Sequence, residues 1–187
     1  ANDAVTTIFS CGRGIPSVNL VANPSIESST LSEYTVVGSA ISQSTDQASD
    51  GSNSLLVNPA NSAAGEGFYW ATPGMSGNAH DGEVWLTAQC EVRGASAASA
   101  VQIAIQDSSG TDIIVGNTIS LSTAFQALQV KYRLPITGSA SYRVIVRTTT
   151  QHNINFYVDK IHVEQRIGDS NYAPYVDGGQ GINYEWE

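Results

Sequence analysis

Lysine is almost missing from this sequence. Among 187 residues only Lys131 and Lys160 occur, and Lys plus Arg total 8 against 17 Asp plus Glu, a formal charge of −9. No basic cluster forms, which excludes a nucleic-acid binder, because phosphates need cations. Charged residues of either sign make up 13% of the chain, well below the usual quarter or so. The polar surface must come instead from 23 Ser and 14 Thr, with Asn and Gln. No apolar run approaches the ~20 residues of a membrane-spanning helix. The opening ANDAVTTIFS has neither a charged n-region nor an apolar h-region, so no signal peptide is expected in this chain. Two cysteines, Cys11 and Cys90, are too few for a disulfide scaffold. They either form one bridge in an oxidising compartment or pack as buried thiols. Heptads and amphipathic helices are absent, which excludes a coiled coil. With 41% hydrophobic residues in clear patterns, disorder is excluded as well.

What the sequence has is period two, the signal of strands buried on one face. Val84, Leu86, Ala88, Cys90 and Val92 alternate with Trp85, Thr87, Gln89 and Glu91. Val101, Ile103 and Ile105 alternate with Gln102, Ala104 and Gln106. Leu128, Val130, Tyr132 and Leu134 oppose Gln129, Lys131 and Arg133, and Tyr142, Val144 and Val146 oppose Arg143 and Arg147. Weaker strands are expected near Asn19–Ile26, Tyr34–Ser42, Ser54–Val57, Phe68–Ala71, Ile113–Val115 and Asn155–Val163. Turn chemistry separates them, as at Asp50-Gly51-Ser52-Asn53 and Ser108-Ser109-Gly110. Some ten short strands mean an all-β sandwich or barrel. The expected core is Leu20, Ile26, Leu55, Val57, Val84, Leu86, Val101, Ile103, Ile105, Leu128, Val130, Val144, Val146, Phe156 and Val158.

The alternation breaks once. Ile154, Phe156 and Val158 share one parity, and Ile161 and Val163 take the other. A β-bulge at Asp159-Lys160 would return both halves to the core and re-aim the Asp159 carboxylate. The ends also differ from the middle. Residues 1–17 read as an N-terminal arm, 18–165 as the sandwich and 166–187 as a docking tail. Phe9, Tyr172, Tyr175, Tyr184 and Trp186 are expected to anchor these ends on neighbouring subunits, since large aromatics in irregular segments favour burial. Folding back onto the chain's own sandwich is the other reading.

Catalytic groupings are lacking. His80, His152 and His162 are scattered, with no His-Glu-x-x-His or Cys-x-x-Cys motif and no Gly-x-Ser-x-Gly elbow. No enzymatic turnover is expected.

Three segments, in order, carry a resemblance. Asn19-Leu20-Val21-Ala22-Asn23-Pro24-Ser25-Ile26-Glu27 resembles the opening strand of carbohydrate-binding modules of families four, nine and twenty-two. Ala48-Ser49-Asp50-Gly51-Ser52-Asn53-Ser54-Leu55-Leu56-Val57 is similar to their Gly turn and following strand, and Tyr157-Val158-Asp159-Lys160-Ile161-His162-Val163 to their last strand. The resemblance implies a jelly-roll sandwich of two antiparallel sheets. It also implies a structural calcium ion between these three segments, with Glu27, Asp50, Ser52 and Asp159 as ligands. Without an ion, Glu27 and Asp159 would hydrogen-bond turn amides instead. The tail Ala173-Pro174-Tyr175-Val176-Asp177-Gly178-Gly179-Gln180, with Tyr184-Glu185-Trp186, resembles a segment of tailed-bacteriophage virion proteins. That likeness implies a non-catalytic decoration or tail subunit, located in the virion and contacting other virion subunits as a homo-oligomer or lattice copies. The alternative is an extracellular glycan-binding module of a polysaccharide-degrading enzyme. For glycan contact the candidates on the wet sheet faces are Trp85, Gln89, Gln102, Gln106, Arg143 and Arg147, whose ring, amide and guanidinium groups suit sugars.

Overall fold

Alternating side chains of period two give the chain two-sided strands, and ten of them stack into two sheets. The structure, a computed structural model, describes residues 19–77, 83–97, 99–136, 138–168, 171, 172 and 175. Phe9, Cys11, His80, Tyr184 and Trp186 lie outside these residues. The strands are β1 (Tyr34–Val37), β2 (Ser39–Ser44), β3 (Ser54–Pro59), β4 (Gly67–Ala71) and β5 (Val84–Gly94), then β6 (Ala100–Asp107), β7 (Asp112–Ser120), β8 (Gln126–Arg133), β9 (Tyr142–Thr148) and β10 (Phe156–Ile167). One five-stranded sheet runs β1-β4-β9-β6-β7 and the other β2-β3-β10-β5-β8, all neighbours antiparallel. This is a jelly-roll β-sandwich, as the alternation and the resemblance imply.

The core lies between the sheets. Every residue of the expected core is buried except Leu20, which is half-buried and packs against it. The aromatic end of the core holds Tyr34 edge-on to Phe68, with ring centroids 5.6 Å apart. Cys90 is a free, buried thiol among these apolar side chains.

Two strand expectations are corrected. Asn19–Ile26 is not a strand but an extended, bent segment. It still hydrogen-bonds the last strand: Leu20 N donates to Val163 O, and Ile161 N to Pro24 O. Tyr34–Ser42 is not one strand but two, β1 and β2, in different sheets. Gly38 stands between them at φ +55°, a left-handed conformation that turns the chain from one sheet to the other. The carbon skeleton of Glu66 lies where a Gly38 side chain would go, 3.0 Å from its first carbon.

The opposite side of the sandwich closes differently. β7 bends toward β8, and the Asn117 side chain stands in for a strand: its Nδ2 donates to Ala127 O and its Oδ1 accepts from Gln129 N. Gly116 permits the approach, since a side chain there would meet Gln129 O at 2.3 Å. The expected bulge is present. The pairing of β10 with β5 shifts between Asp159 and His162, and Lys160 takes φ +51°.

Candidate functional site

Register decides which outward side chains meet. On the outer face of the first sheet, Gln102 lies opposite Arg147, Ala104 opposite Ile145 and Gln106 opposite Arg143. Ile145 also lies opposite Tyr69, and Gln106 opposite Asp112. Ala104 and Ile145 form a buried apolar floor, and the longer side chains stand over and around it.

Those side chains form one hydrogen-bonded chain. Arg147 Nη2 donates to Asp112 Oδ2 at 2.6 Å, and Gln106 Nε2 donates to Asp112 Oδ1 at 2.9 Å. Gln102, with its amide oxygen turned to the guanidinium, accepts from Arg147 Nη2 and Nε at 2.8 and 2.9 Å. The Arg147 hydrogen bond, with those of Gln106 and the Arg147 charge, holds the Asp112 carboxyl below its ordinary value, against partial burial. Beside this chain the Arg143 guanidinium stacks over the Tyr69 ring at 4.6 Å. An open cleft of about 320 Å³ adjoins Arg147, lined also by Ala64, Gly65, Gln102, Thr148 and Thr149.

Four of the six glycan candidates, Gln102, Gln106, Arg143 and Arg147, are thus brought together. Trp85 and Gln89 are not among them. They sit on β5, in the other sheet, and face away on the opposite side of the molecule. The chain changes sheets between β5 and β6, so outward-facing side chains on the two strands point in opposite directions. Gln106 and Thr87, expected on wet faces, are buried at 5% and 2% exposure. Gln106 is covered by its network, and Thr87 Oγ1 faces Glu164 across the strands. On that second outer face the Lys131 ammonium lies 5.9 Å from the Trp85 ring centre, and Gln129 donates to Gln89.

Tyr69 and Asp112 were not among the sequence candidates. Tyr69 is the middle of Phe68-Tyr69-Trp70, whose outer members are buried, so the middle one must point outward. Asp112 enters through the β6–β7 hairpin register, which sequence alternation does not show.

The proposed calcium ligands are otherwise engaged. Glu27 Oε1 accepts from Ser52 N and Asn53 N at 2.8 and 2.9 Å, and its Oε2 from Asn53 Nδ2 at 2.8 Å. Asp159 Oδ2 accepts from Ser49 N and Asp50 N, and its Oδ1 from Lys160 N at 2.7 Å. Burial pushes the Asp159 carboxyl up despite these amides. Asp50 and Ser52 contribute backbone N–H groups here, where a hard cation needs six to eight oxygens. Among the described residues no three His, Cys, Asp or Glu side chains gather as a metal site. The arrangement is that of two carboxylates clamping turn amides. In the tail, Tyr172 is half-buried, and the Tyr175 ring lies edge-on to His162 of β10, 6.4 Å between centroids.

No protein-family model and no curated protein matches the chain. Solved structures do, at identities that establish the fold alone. The xylan-binding CBM22-1 domain of Paenibacillus barcinonensis Xyn10C aligns at 15% identity and TM-score 0.60, over 83% of this chain and 99% of that one. The C-terminal family 22 carbohydrate-binding module of Clostridium thermocellum Xyn10B aligns at 23% identity and TM-score 0.57, over 82% and 97%. The enzymatically active domain of bacteriophage CBA120 tailspike protein 4 aligns at 14% identity and TM-score 0.59, over 80% of this chain but only 22% of that one. The chain is therefore built like a carbohydrate-binding module, and matches such modules over nearly their whole length.

Proposed function

We propose that this domain is a non-catalytic glycan-binding module and that the outer face of the first sheet is its sugar platform. The observation that carries this reading is the chain Gln106–Asp112–Arg147–Gln102, set over Ala104 and Ile145 beside Tyr69. A sugar ring offers pairs of hydroxyls on its rim and C–H groups on its faces. The platform offers planar donors and acceptors already held in place, so little rotamer entropy is lost on binding. The module-like fold supports the same reading. Hydrolysis would need two carboxylates across the sugar. On this face, among the described residues, Asp112 is the carboxylate in register, and Arg147 neutralises it.

A second reading sets the same domain in the virion of a tailed bacteriophage, as a decoration or tail subunit among other subunits. The tailspike likeness and the aromatic tail support it. The alternative setting is a secreted polysaccharide-degrading enzyme. Immunolabelling of purified particles separates the two.

Affinity electrophoresis through gels holding neutral or acidic polysaccharides tests the binding reading. The native protein should be retarded, and Arg147→Ala and Tyr69→Ala should each weaken retention about tenfold, the loss of one charged hydrogen bond or ring contact. Migration unaffected by every polysaccharide, or equal retention of both variants, rejects it.

A further inference from the structure

Within the platform, Arg143 is the exception among the described arginines. Arg133, Arg147, Lys160 and Arg166 each face a carboxylate, and Arg93 donates to Gln47. Among the described arginines, Arg143 alone makes no hydrogen bond or ion pair; its partner is the Tyr69 ring. Yet the chain carries 17 acidic residues against 8 cations. The nearby acids are committed elsewhere. Asp112 holds Arg147 and Gln106. Asp107 accepts from the Ser109 and Thr111 amides of its own turn. Glu66, beyond the Arg147 end of β4, accepts from the Asn61, Ser62 and Ala63 amides.

Arg143 is nevertheless held in place. Tyr69 covers one face of the guanidinium, and its Nη1 occupies the space a Gly110 side chain would take, 2.9 Å from that first carbon. Gly110 has φ +94°, so the turn itself favours leaving that space open. A guanidinium fixed by stacking keeps its in-plane N–H edge available, and that edge matches the two oxygens of a carboxylate. Arg147 pairs with Asp112, so Arg143 is the arginine of this face whose N–H groups have no carboxylate partner. Hydroxyls alone would leave that half-buried guanidinium without a directly bonded anion.

We infer that the ligand of this platform is an acidic saccharide, a sugar bearing a carboxylate, and that Arg143 backed by Tyr69 is the group that recognises the carboxylate. The inference rests on the glycan-binding reading above. It narrows that reading from sugars in general to uronic acids and related carboxylated sugars.

The test uses polygalacturonate, alginate and hyaluronate, each beside its own carboxyl-reduced neutral form, with neutral xylan as a further probe. Dissociation constants for the full chain are measured by calorimetry. At least one acidic polymer should bind about tenfold or more tightly than its reduced form. In Arg143→Gln that ratio should fall toward one, and Arg143→Lys should restore part of it. Equal binding of acidic and reduced forms, or binding of xylan alone, overturns the inference and leaves the glycan reading standing. An acid preference that survives in Arg143→Gln assigns the carboxylate to another residue and also overturns it. Binding of none of the seven probes sinks both readings. Should Arg143→Gln fail to fold, the paired polymers on the native chain still decide whether the ligand is acidic, and Arg143→Lys decides whether this arginine reads it.

Discussion

The Asp159 carboxylate accepts the amide of Ser49 at 2.7 Å, and so joins the bulge of the last strand to the loop before β3, 110 residues earlier in the chain. The same oxygen takes the Asp50 amide at 2.9 Å, and the group is fully buried. Asp159→Ala leaves these amides without their acceptor. It should cost roughly 1–3 kcal/mol in urea unfolding, the penalty of buried donors left unmade. A cost near zero would mean that water replaces the carboxylate and that the bulge is not held by it.

Glu27 clamps the Ser52 and Asn53 amides in the same way. With both carboxylates turned to N–H donors, chelator treatment should leave the melting temperature unchanged. A fall on chelation, reversed by added calcium, would place an ion between these segments after all.

Ile103 is 1% exposed, at the centre of the first sheet's inner face. Ile103→Ala should cost ~2–5 kcal/mol by equilibrium unfolding. A cost below ~0.5 kcal/mol would show that the strand parity is wrong.

Much of this parity is legible in the sequence, and the reason is local. In β5, β6, β8 and β9 one face meets the core along the whole strand, so the period-two pattern is uninterrupted. At Gly38 the same pattern continues while the chain changes sheets, and one strand is expected where there are two. The glycan candidates divide between two faces for a related reason. Alternation says that Trp85 and Gln102 both point outward, but not that their sheets face opposite ways. Tyr69 is hidden between two buried aromatics, and Asp112 acts through hairpin register. The bulge at Asp159 is visible because it inverts the pattern within a single strand.

The Asp112 carboxyl lies below its ordinary 3.8 because of Arg147 and Gln106. A carboxylate lowered in the folded state contributes fully above its unfolded value and loses that contribution as pH falls through the folded one. The side chain is 36% exposed, so screening keeps the stability effect below ~1 kcal/mol. The effect on the platform is larger, since protonation releases Arg147. Affinity for a carboxyl-reduced saccharide, which has no acid of its own to titrate, should be flat from about pH 7 to 5 and fall below about pH 4, and Asp112→Asn should lack that fall. A decline between pH 7 and 5 would implicate a different group.

Tyr175 packs on His162 of its own chain, and the remaining tail aromatics are proposed to serve neighbours. Tyr175→Ala should lower stability by roughly 0.7–1.5 kcal/mol, half the value of full burial of a large apolar side chain, without changing association. Trp186→Ala should reduce association, read by sedimentation, at constant melting temperature. The reverse pattern for Trp186 would assign the whole tail to the fold.

The two flanks of the sandwich are joined by unlike means. At β1 and β2 a single ribbon, turned at Gly38, supplies an edge to each layer, so that flank is a covalent seam. At β7 and β8 a longer connection, residues 121–125, joins the layers, which also meet through the Asn117 amide and close packing around Gly116. Under mechanical load the molecule therefore has a hinge and a clasp. Pulling the layers apart should open it first at the clasp, where Ile113, Ile114 and Val115 are already partly exposed, while the tight Gly38 turn holds the other flank in register for reclosure. A domain that holds a polymer under drag on one face would keep most of its platform, on β4, β9 and β6, inside the edge that gives way first, with Asp112 alone of the platform on β7.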